Sequence, residues 1–199
     1  MRLHDLLEAA RNFRYRVEDR RSEFAALAAG QSPTILFITC SDSRVIPSLI
    51  TNARPGQLFE VRIEGPVLPA YPPAPACQIA ASLDHGVDAL EIRHIVVCGH
   101  SHCGTVEALY EGSVGKYGPS IDRWLRLPHV RALRSTDERS FLEQATERHV
   151  VAQLAALRKY PKIAERVDAG TVTLHGWYYE ISTGKIRGYD PMTQEFAPL

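Results

Sequence analysis

Long apolar runs, an excess of either charge and a secretory leader are all missing from this sequence, and each absence removes a class of function. No stretch approaches the roughly 18 consecutive apolar residues of a membrane-spanning helix, so no membrane partner is expected. The 23 basic and 23 acidic side chains cancel, which leaves no overall field to hold nucleic acid or an anionic membrane surface. A small, weakly charged substrate fits better. The opening residues, MRLHDLLEAARNFRYRVEDRR, are amphipathic and heavily charged where a secretory signal would carry an apolar core, so a cytoplasmic location is expected. Cysteine is sparse, with four residues at positions 40, 77, 98 and 103. Two disulfides are formally open to them, but a reducing compartment and a neighbouring histidine favour metal ligation.

What remains is an ordinary globular composition. At 199 residues, 45% hydrophobic and 23% charged, the chain suits one domain with a sizeable core, extended by a terminal arm. Leu3, Leu6, Leu7, Ala10 and Phe13 recur near helical spacing, and a second helical stretch runs to about Ala29. We therefore divide the chain into a helical arm, residues 1–30, and a main domain, residues 31–199, to which the later motifs assign zinc binding and catalysis.

Within that domain TILFITC (34–40) and HIVVCGH (94–100) are short continuous apolar runs rich in β-branched residues, as in strands buried on both faces. QLFEVRI (57–63) alternates as a third strand, after a helical turn at 47–51. The segment GPVLPAYPPAPA is punctuated by proline and reads as a loop. Helical patterns follow at 77–89, 105–110, 121–133 and 138–160, and TVTLHGWYYEI (171–181) closes the chain as a strand. Strand and helix alternate, so the expected fold is α/β, a single domain with a mainly parallel central sheet flanked by helices.

The most informative residues stand at the ends of two of those strands. Cys40, Asp42 and Arg44 lie in TCSDSR, and His100 and Cys103 follow in GHSHCG. Two thiols and an imidazole are soft ligands that suit zinc, and three of them leave one coordination position free for water. Ligands of open α/β sheets sit at the carboxyl ends of strands, where Cys40 and His100 both fall. H-x-x-C places Cys103 where the next helix begins, and free amides there favour a thiolate.

These motifs resemble the β-class carbonic anhydrases, and the resemblance extends through nearly the whole chain. It implies one zinc per chain on Cys40, His100 and Cys103, a catalytic dyad of Asp42 and Arg44, and reversible hydration of carbon dioxide to bicarbonate by a zinc-bound hydroxide. Arg44 would hold Asp42 ionised and, by a two-bonded pair, keep it from becoming a fourth ligand. Two thiolates neutralise the dication, so activity is expected to rise toward alkaline pH. Gln31, nine residues before the first ligand, matches the plant-like branch, in which this amide binds substrate or bicarbonate. Phe59 and Gly104 are expected to line the pocket. The ending LHGWYYEISTGKIRGYD is similar to the family's C-terminal strand region. The family's helical arms wrap a neighbouring subunit, which implies a homodimer or a tetramer built from dimers.

Two positions depart from the family. VRIEGP stands where many members read VRNAGN, so Glu64 replaces a small or apolar residue. His85 occupies a position usually held by tyrosine. Glu64 can simply pair with Arg62 while His85 faces solvent; alternatively the two meet in the pocket as a proton relay, or they redirect the site to carbonyl sulfide or carbon disulfide, or abolish hydration. Two non-family readings also stand. A thiol hydrolase would use Cys40 with His100 as base but leaves Cys103 without a role. A structural zinc site would need Asp42 or Glu64 to close the coordination sphere. Cys98 and Cys77 read as packing residues, His102 as pointing away from the ligands, and His94 and His175 as structural.

Overall fold

The computed structural model describes residues 1–112, 118–127, 130 and 142–199. The parts of the expected helices at 128–129 and 131–141 lie outside the described residues. The described chain forms two compact units, Met1–Ser32 and Pro33–Leu199.

The first unit holds α1 (Leu3–Glu18) and α2 (Arg21–Ala28). Asp5 accepts a hydrogen bond from the Arg2 backbone N–H at 2.9 Å, satisfying an otherwise free donor and placing a carboxylate at the positive end of α1. The Phe13 and Phe24 rings meet edge to face at 5.9 Å and join the two helices. No residue of either helix is buried, and Leu3, Leu6, Leu7 and Phe13 are exposed.

The second unit is built on a six-stranded sheet of β1 (Ile35–Cys40), β2 (Leu58–Ile63), β3 (His94–His100), β4 (Thr173–Tyr179), β5 (Ile186–Asp190) and β6 (Glu195–Pro198). The strand order is β2-β1-β3-β4-β5-β6. The first four strands are mutually parallel and the last two are added antiparallel. From β1 the chain steps to β2 on one side and then crosses to β3 on the other. Neighbouring connections therefore diverge at the carboxyl ends of β1 and β3, which opens the crevice where such sheets bind ligands. Register brings Thr39 level with Cys98, so Cys40 and His100 end adjacent strands at nearly the same height.

Burial follows the apolar runs. Leu36, Ile38, Ile95 and Val97 point into the main core, while Phe37, Val96 and Cys98 form a separate cluster with Trp177 and Tyr179. Both faces of β1 and β3 are thus covered, which is why these strands read as continuous apolar segments rather than alternating ones. The main core is completed by α4 (Gln78–Asp84), α7 (Leu142–Leu157) and α8 (Pro161–Asp168). Shorter helices α3 (Pro47–Thr51), α5 (Gly104–Glu111) and α6 (Pro119–Leu125) complete the described set. Helix α7 presses on the sheet at Gly99, where an added Cβ would stand 2.7 Å from Val150 Cγ2 and 2.8 Å from Thr146 Cγ2. Glycine before His100 is what lets helix and strand approach that closely.

The structure differs from the sequence expectation in three places. The helix expected to run to Ala89 changes to a π-helical turn over His85–Ala89. Pro161 does not merely end the preceding helix; it opens α8 at its first turn, where a missing N–H costs nothing. The single closing strand is β4 alone, and a reversal over residues 180–185 adds β5, then β6.

Candidate metal centre

Cys40 is the last residue of β1, His100 the last of β3, and Cys103 caps the N-terminus of α5. All three side chains are buried, and their ligating atoms lie within 4.8 Å of one another. The two sulfurs are 4.0 Å apart. A disulfide would need about 2.05 Å, whereas two thiolates at about 2.3 Å on a tetrahedral zinc stand about 3.8 Å apart. His100 donates Nδ1–H to the Ser101 carbonyl at 2.9 Å. That bond fixes the tautomer and leaves Nε2 as a bare lone pair. His100 is fully buried, and its Nε2 has no hydrogen-bond partner among the described residues. A buried acceptor without a donor is costly unless something binds it, and a cation between the imidazole and the two sulfurs does so. The donor set therefore fits a resident metal ion.

The thiols are electrostatically prepared for this. The Cys103 S–H beside it, with help from His100 and the amides of Asp42 and Gly65, pulls Cys40 down to about 4. Cys103 is pushed up by Cys40 and by burial, although the Thr105 and Val106 amides at the start of α5 oppose this. Without a cation the pair holds one proton between two sulfurs, and a dication displaces it.

At the rim stands an ion pair of unusual completeness. Arg44 donates Nε–H to Asp42 Oδ1 at 3.0 Å and Nη2–H to Oδ2 at 2.7 Å, and its backbone N–H also reaches Oδ1 at 2.9 Å. These bonds hold Asp42 at about 2, well below the usual carboxylate range. Asp42 Oδ2 lies 4.0 Å from His100 Nε2, beside the ligand set. Arg44 donates a further bond to the His102 carbonyl at 3.0 Å, tying the loop after β1 to the loop after β3. His102 itself is exposed at a positive φ of 55°.

The pairing of Arg62 with Glu64, one of the readings left open by the sequence, does not occur. Arg62 turns to the loop after β1 and donates to the carbonyls of Cys40, Asp42 and Val45 at 3.4, 2.8 and 2.7 Å. Strand β2 ends at Ile63, so Glu64 leaves the alternation that would have put both residues on one face. The exposed Glu64 instead accepts a hydrogen bond from Thr105 Oγ1 at 3.2 Å. His85 is also exposed and lies edge to face on the half-buried Phe59 ring at 5.7 Å. Among the described residues no hydrogen bond or ion pair joins Glu64 to His85. Gly104 is the first residue of α5, directly after Cys103. Gln31 is an exposed residue of the first unit.

Other sequence readings of single residues resolve simply. Cys98 is fully buried in the cluster with Phe37, and desolvation raises its thiol to about 12, as for an inert core residue. Cys77 is half-buried against the main core at the start of α4. His94 and His175 share Thr173, whose hydroxyl bonds both rings at 2.7 and 2.8 Å. Sequence reasoning missed Arg62 as the anchor of the Asp42 loop. It also missed His149, a fully buried residue of α7 bonded to the Gly65 carbonyl. An arginine in an alternating strand and a histidine in a helix carry no distinguishing signal.

Comparison with known proteins agrees with this geometry. The family model described as carbonic anhydrase matches residues 35–186. A carbonic anhydrase of Pseudomonas aeruginosa is 36% identical over 205 residues, covering 99% of this chain and 92% of that protein. Carbonic anhydrase 1 of Escherichia coli O157:H7 is 38% identical over 185 residues, covering 90% of this chain and 84% of that protein. Among solved structures, the β-carbonic anhydrase CcaA superposes with a TM-score of 0.91 at 36% identity, covering 99% of both chains. A tetrameric β-carbonic anhydrase of Sordaria macrospora superposes with a TM-score of 0.75 at 30% identity, covering 93% of this chain and 95% of that one.

Proposed function

The chain belongs to the β-class carbonic anhydrases, and from that premise we propose that it catalyses the reversible hydration of carbon dioxide to bicarbonate with one zinc ion per chain. The observation that carries the metal assignment is the buried, unpartnered Nε2 of His100 facing two sulfurs 4.0 Å apart. Cys40, His100 and Cys103 would hold the zinc, which would supply the acidity that activates a solvent molecule as nucleophile.

The chain's own residues do the rest. Asp42 is kept ionised by Arg44, with its Oδ2 beside the ligand set, so it accepts a solvent proton in a hydrogen bond and orients the oxygen lone pair toward substrate. Because both carboxylate oxygens are engaged by Arg44, Asp42 is held out of the coordination sphere and the ligand count stays at three. That open position favours catalysis over a purely structural site. Phe59 and Gly104 line the substrate side. Glu64, exposed and bonded to Thr105 two residues beyond Cys103, is the residue placed to pass protons to buffer, whereas His85 packs on the Phe59 ring as part of the pocket wall.

The exposed apolar residues Leu3, Leu6, Leu7 and Phe13 of α1 suit an arm that packs on a second copy, and the Sordaria relatives are tetrameric. We accordingly assign a homo-oligomer. All four cysteines are free, which suits the reducing cytoplasm.

Stopped-flow hydration of carbon dioxide, run alongside metal analysis, tests the assignment. Hydration that disappears on chelation and returns with stoichiometric zinc is the expected result. Turnover that persists in metal-free protein, or is absent from protein carrying one zinc per chain, rejects it.

A further inference from the structure

We propose that Ser101 is a positioning residue for the metal centre: its hydroxyl takes the Ile181 amide in place of its own carbonyl, and the carbonyl so released fixes the His100 ring. The inference rests on the reading of His100 as a metal ligand.

The exchange is visible in the ladder between β3 and β4. In a parallel pair a bonded residue donates its N–H to one residue of the neighbouring strand and accepts at its carbonyl from the residue two further along. His100 stands level with Tyr179, which brings Ser101 level with Glu180. Ser101 follows the pattern with its N–H, which donates to the Tyr179 carbonyl at 2.9 Å. The same pattern assigns the Ile181 N–H to the Ser101 carbonyl. That N–H goes to Ser101 Oγ at 3.0 Å, and the carbonyl accepts Nδ1–H of His100 at 2.9 Å. Serine thus offers two acceptors where the ladder needs one, and both donors are satisfied. Alanine at this position would leave one carbonyl to serve two donors, with the strand register favouring the amide.

Both sides of the arrangement are held. Ile181 lies in the reversal between β4 and β5, which is closed by Glu180 N–H to the Lys185 carbonyl and Gly184 N–H to the Glu180 carbonyl, each at 2.9 Å. Ser101 is 5% exposed, so solvent does not stand in for a missing partner. Beyond the peptide that carries the Ser101 carbonyl, His102 stands at a φ of 55°, a conformation uncommon for residues other than glycine. Arg44 Nη2 donates to the His102 carbonyl at 3.0 Å and holds it there. The peptide that aims the His100 ring is therefore bracketed by β4 on one side and by the dyad arginine on the other. Outer bonds of this kind fix the tautomer and orientation of a ligating histidine and raise its basicity.

NMR on isotope-labelled, full-length, zinc-loaded protein tests the role without relying on turnover. In the unmutated protein the Ile181 amide nitrogen should show no coupling across a hydrogen bond to the residue 101 carbonyl carbon, and the His100 Nδ1–H proton should be sharp and slow to exchange. In Ser101→Ala that coupling should appear, the Nδ1–H proton should exchange faster, and zinc should bind about 10- to 100-fold more weakly in chelator competition. Ser101→Thr keeps the hydroxyl, and Ser101→Val copies the shape of that variant without it. Ser101→Thr should hold all three readouts near their unmutated values while Ser101→Val loses them, and this pair carries the test if Ser101→Ala does not fold. A coupling from Ile181 to carbonyl 101 in the unmutated protein overturns the inference, as does equal zinc affinity in Ser101→Thr and Ser101→Val. A lower melting temperature in Ser101→Val with an unmoved His100 Nδ1–H proton makes the serine structural only, and overturns it too. Failure of the unmutated protein to take up zinc at Cys40, His100 and Cys103 rejects the metal reading and the positioning role with it; the Ile181 coupling, measured in metal-free protein as well, keeps that failure distinct from the others.

Discussion

Arg44→Ala separates the chemistry of the site from its assembly. The substitution keeps the backbone N–H bond to Asp42 Oδ1 but removes the Nε and Nη2 bonds at 3.0 and 2.7 Å, together with the tether to His102. A buried charge-assisted bond is worth about 1.5–3 kcal/mol, but the Arg44 side chain is 47% exposed. Solvent screening brings the pair nearer the roughly 1 kcal/mol of exposed ion pairs, so the fold should lose only about 1–2 kcal/mol. The effect on turnover is larger because geometry is lost. Asp42 Oδ2 already stands 4.0 Å from His100 Nε2. Released from Arg44, the carboxylate is free to turn toward the ligand set, where a fourth protein ligand would close the site. Misplacing a reacting group by about 1 Å costs on the order of 100-fold in rate, and we expect kcat to fall by that factor or more.

Stopped-flow hydration with metal analysis on the same sample is the assay. The expected outcome is one zinc per chain, a nearly unchanged melting curve and turnover about 100-fold lower, with X-ray absorption detecting an added oxygen ligand. Arg44→Lys should recover little, because an ammonium is a point charge that does not form the two-bonded fork. Undiminished turnover in zinc-replete Arg44→Ala would remove the dyad from the mechanism. Loss of zinc would instead show that Arg44 acts in assembling the metal site.

Glu64→Ala removes an exposed carboxylate whose bond is to Thr105 Oγ1, so stability should change by only about 0.5 kcal/mol. If Glu64 carries protons, kcat falls in dilute buffer and recovers in concentrated buffer; equal rates in both buffers exclude a relay role. Gly99→Ala places a Cβ 2.7 Å from Val150 and 2.8 Å from Thr146, and should cost about 1–3 kcal/mol in denaturant unfolding. An unchanged midpoint would mean that α7 is free to shift on the sheet. His149 gives the pH dependence. Its folded value, about 4, lies below the ordinary histidine value of 6.5, so the unfolded chain binds a proton first as pH falls. Stability from this residue is complete above about pH 6.5 and is lost progressively down to about 4, with a ceiling on the order of 3 kcal/mol. Thermal melts of metal-free protein should show that decline, and His149→Gln should flatten it.

How much of this was legible in the sequence depends on the kind of work each residue does. Cys40 and His100 announced themselves because each ends an apolar, β-branched run, and a strand buried on both faces leaves that mark. Cys103 was equally plain, since its spacing from His100 delivers it to a helix start. The open reading that paired Arg62 with Glu64 fails for a local reason: alternation puts residues two apart on one face only while the strand lasts, and β2 ends between them at Ile63. Pro161 carried a usable signal, because proline is as good at opening a helix as at ending one. Strands β5 and β6 are short and only partly buried, so their patterns scarcely differ from those of a loop. His149 and Gly65 lie beyond any such reading. Their contribution is a hydrogen bond between a helix and a turn 84 residues apart in sequence, and it exists only because α7 is packed against β3. A ligand displays its chemistry in its own side chain. A residue that works by orienting another residue's backbone shows it only in the assembled fold, which is why the surroundings of the candidate centre were less legible than its ligands.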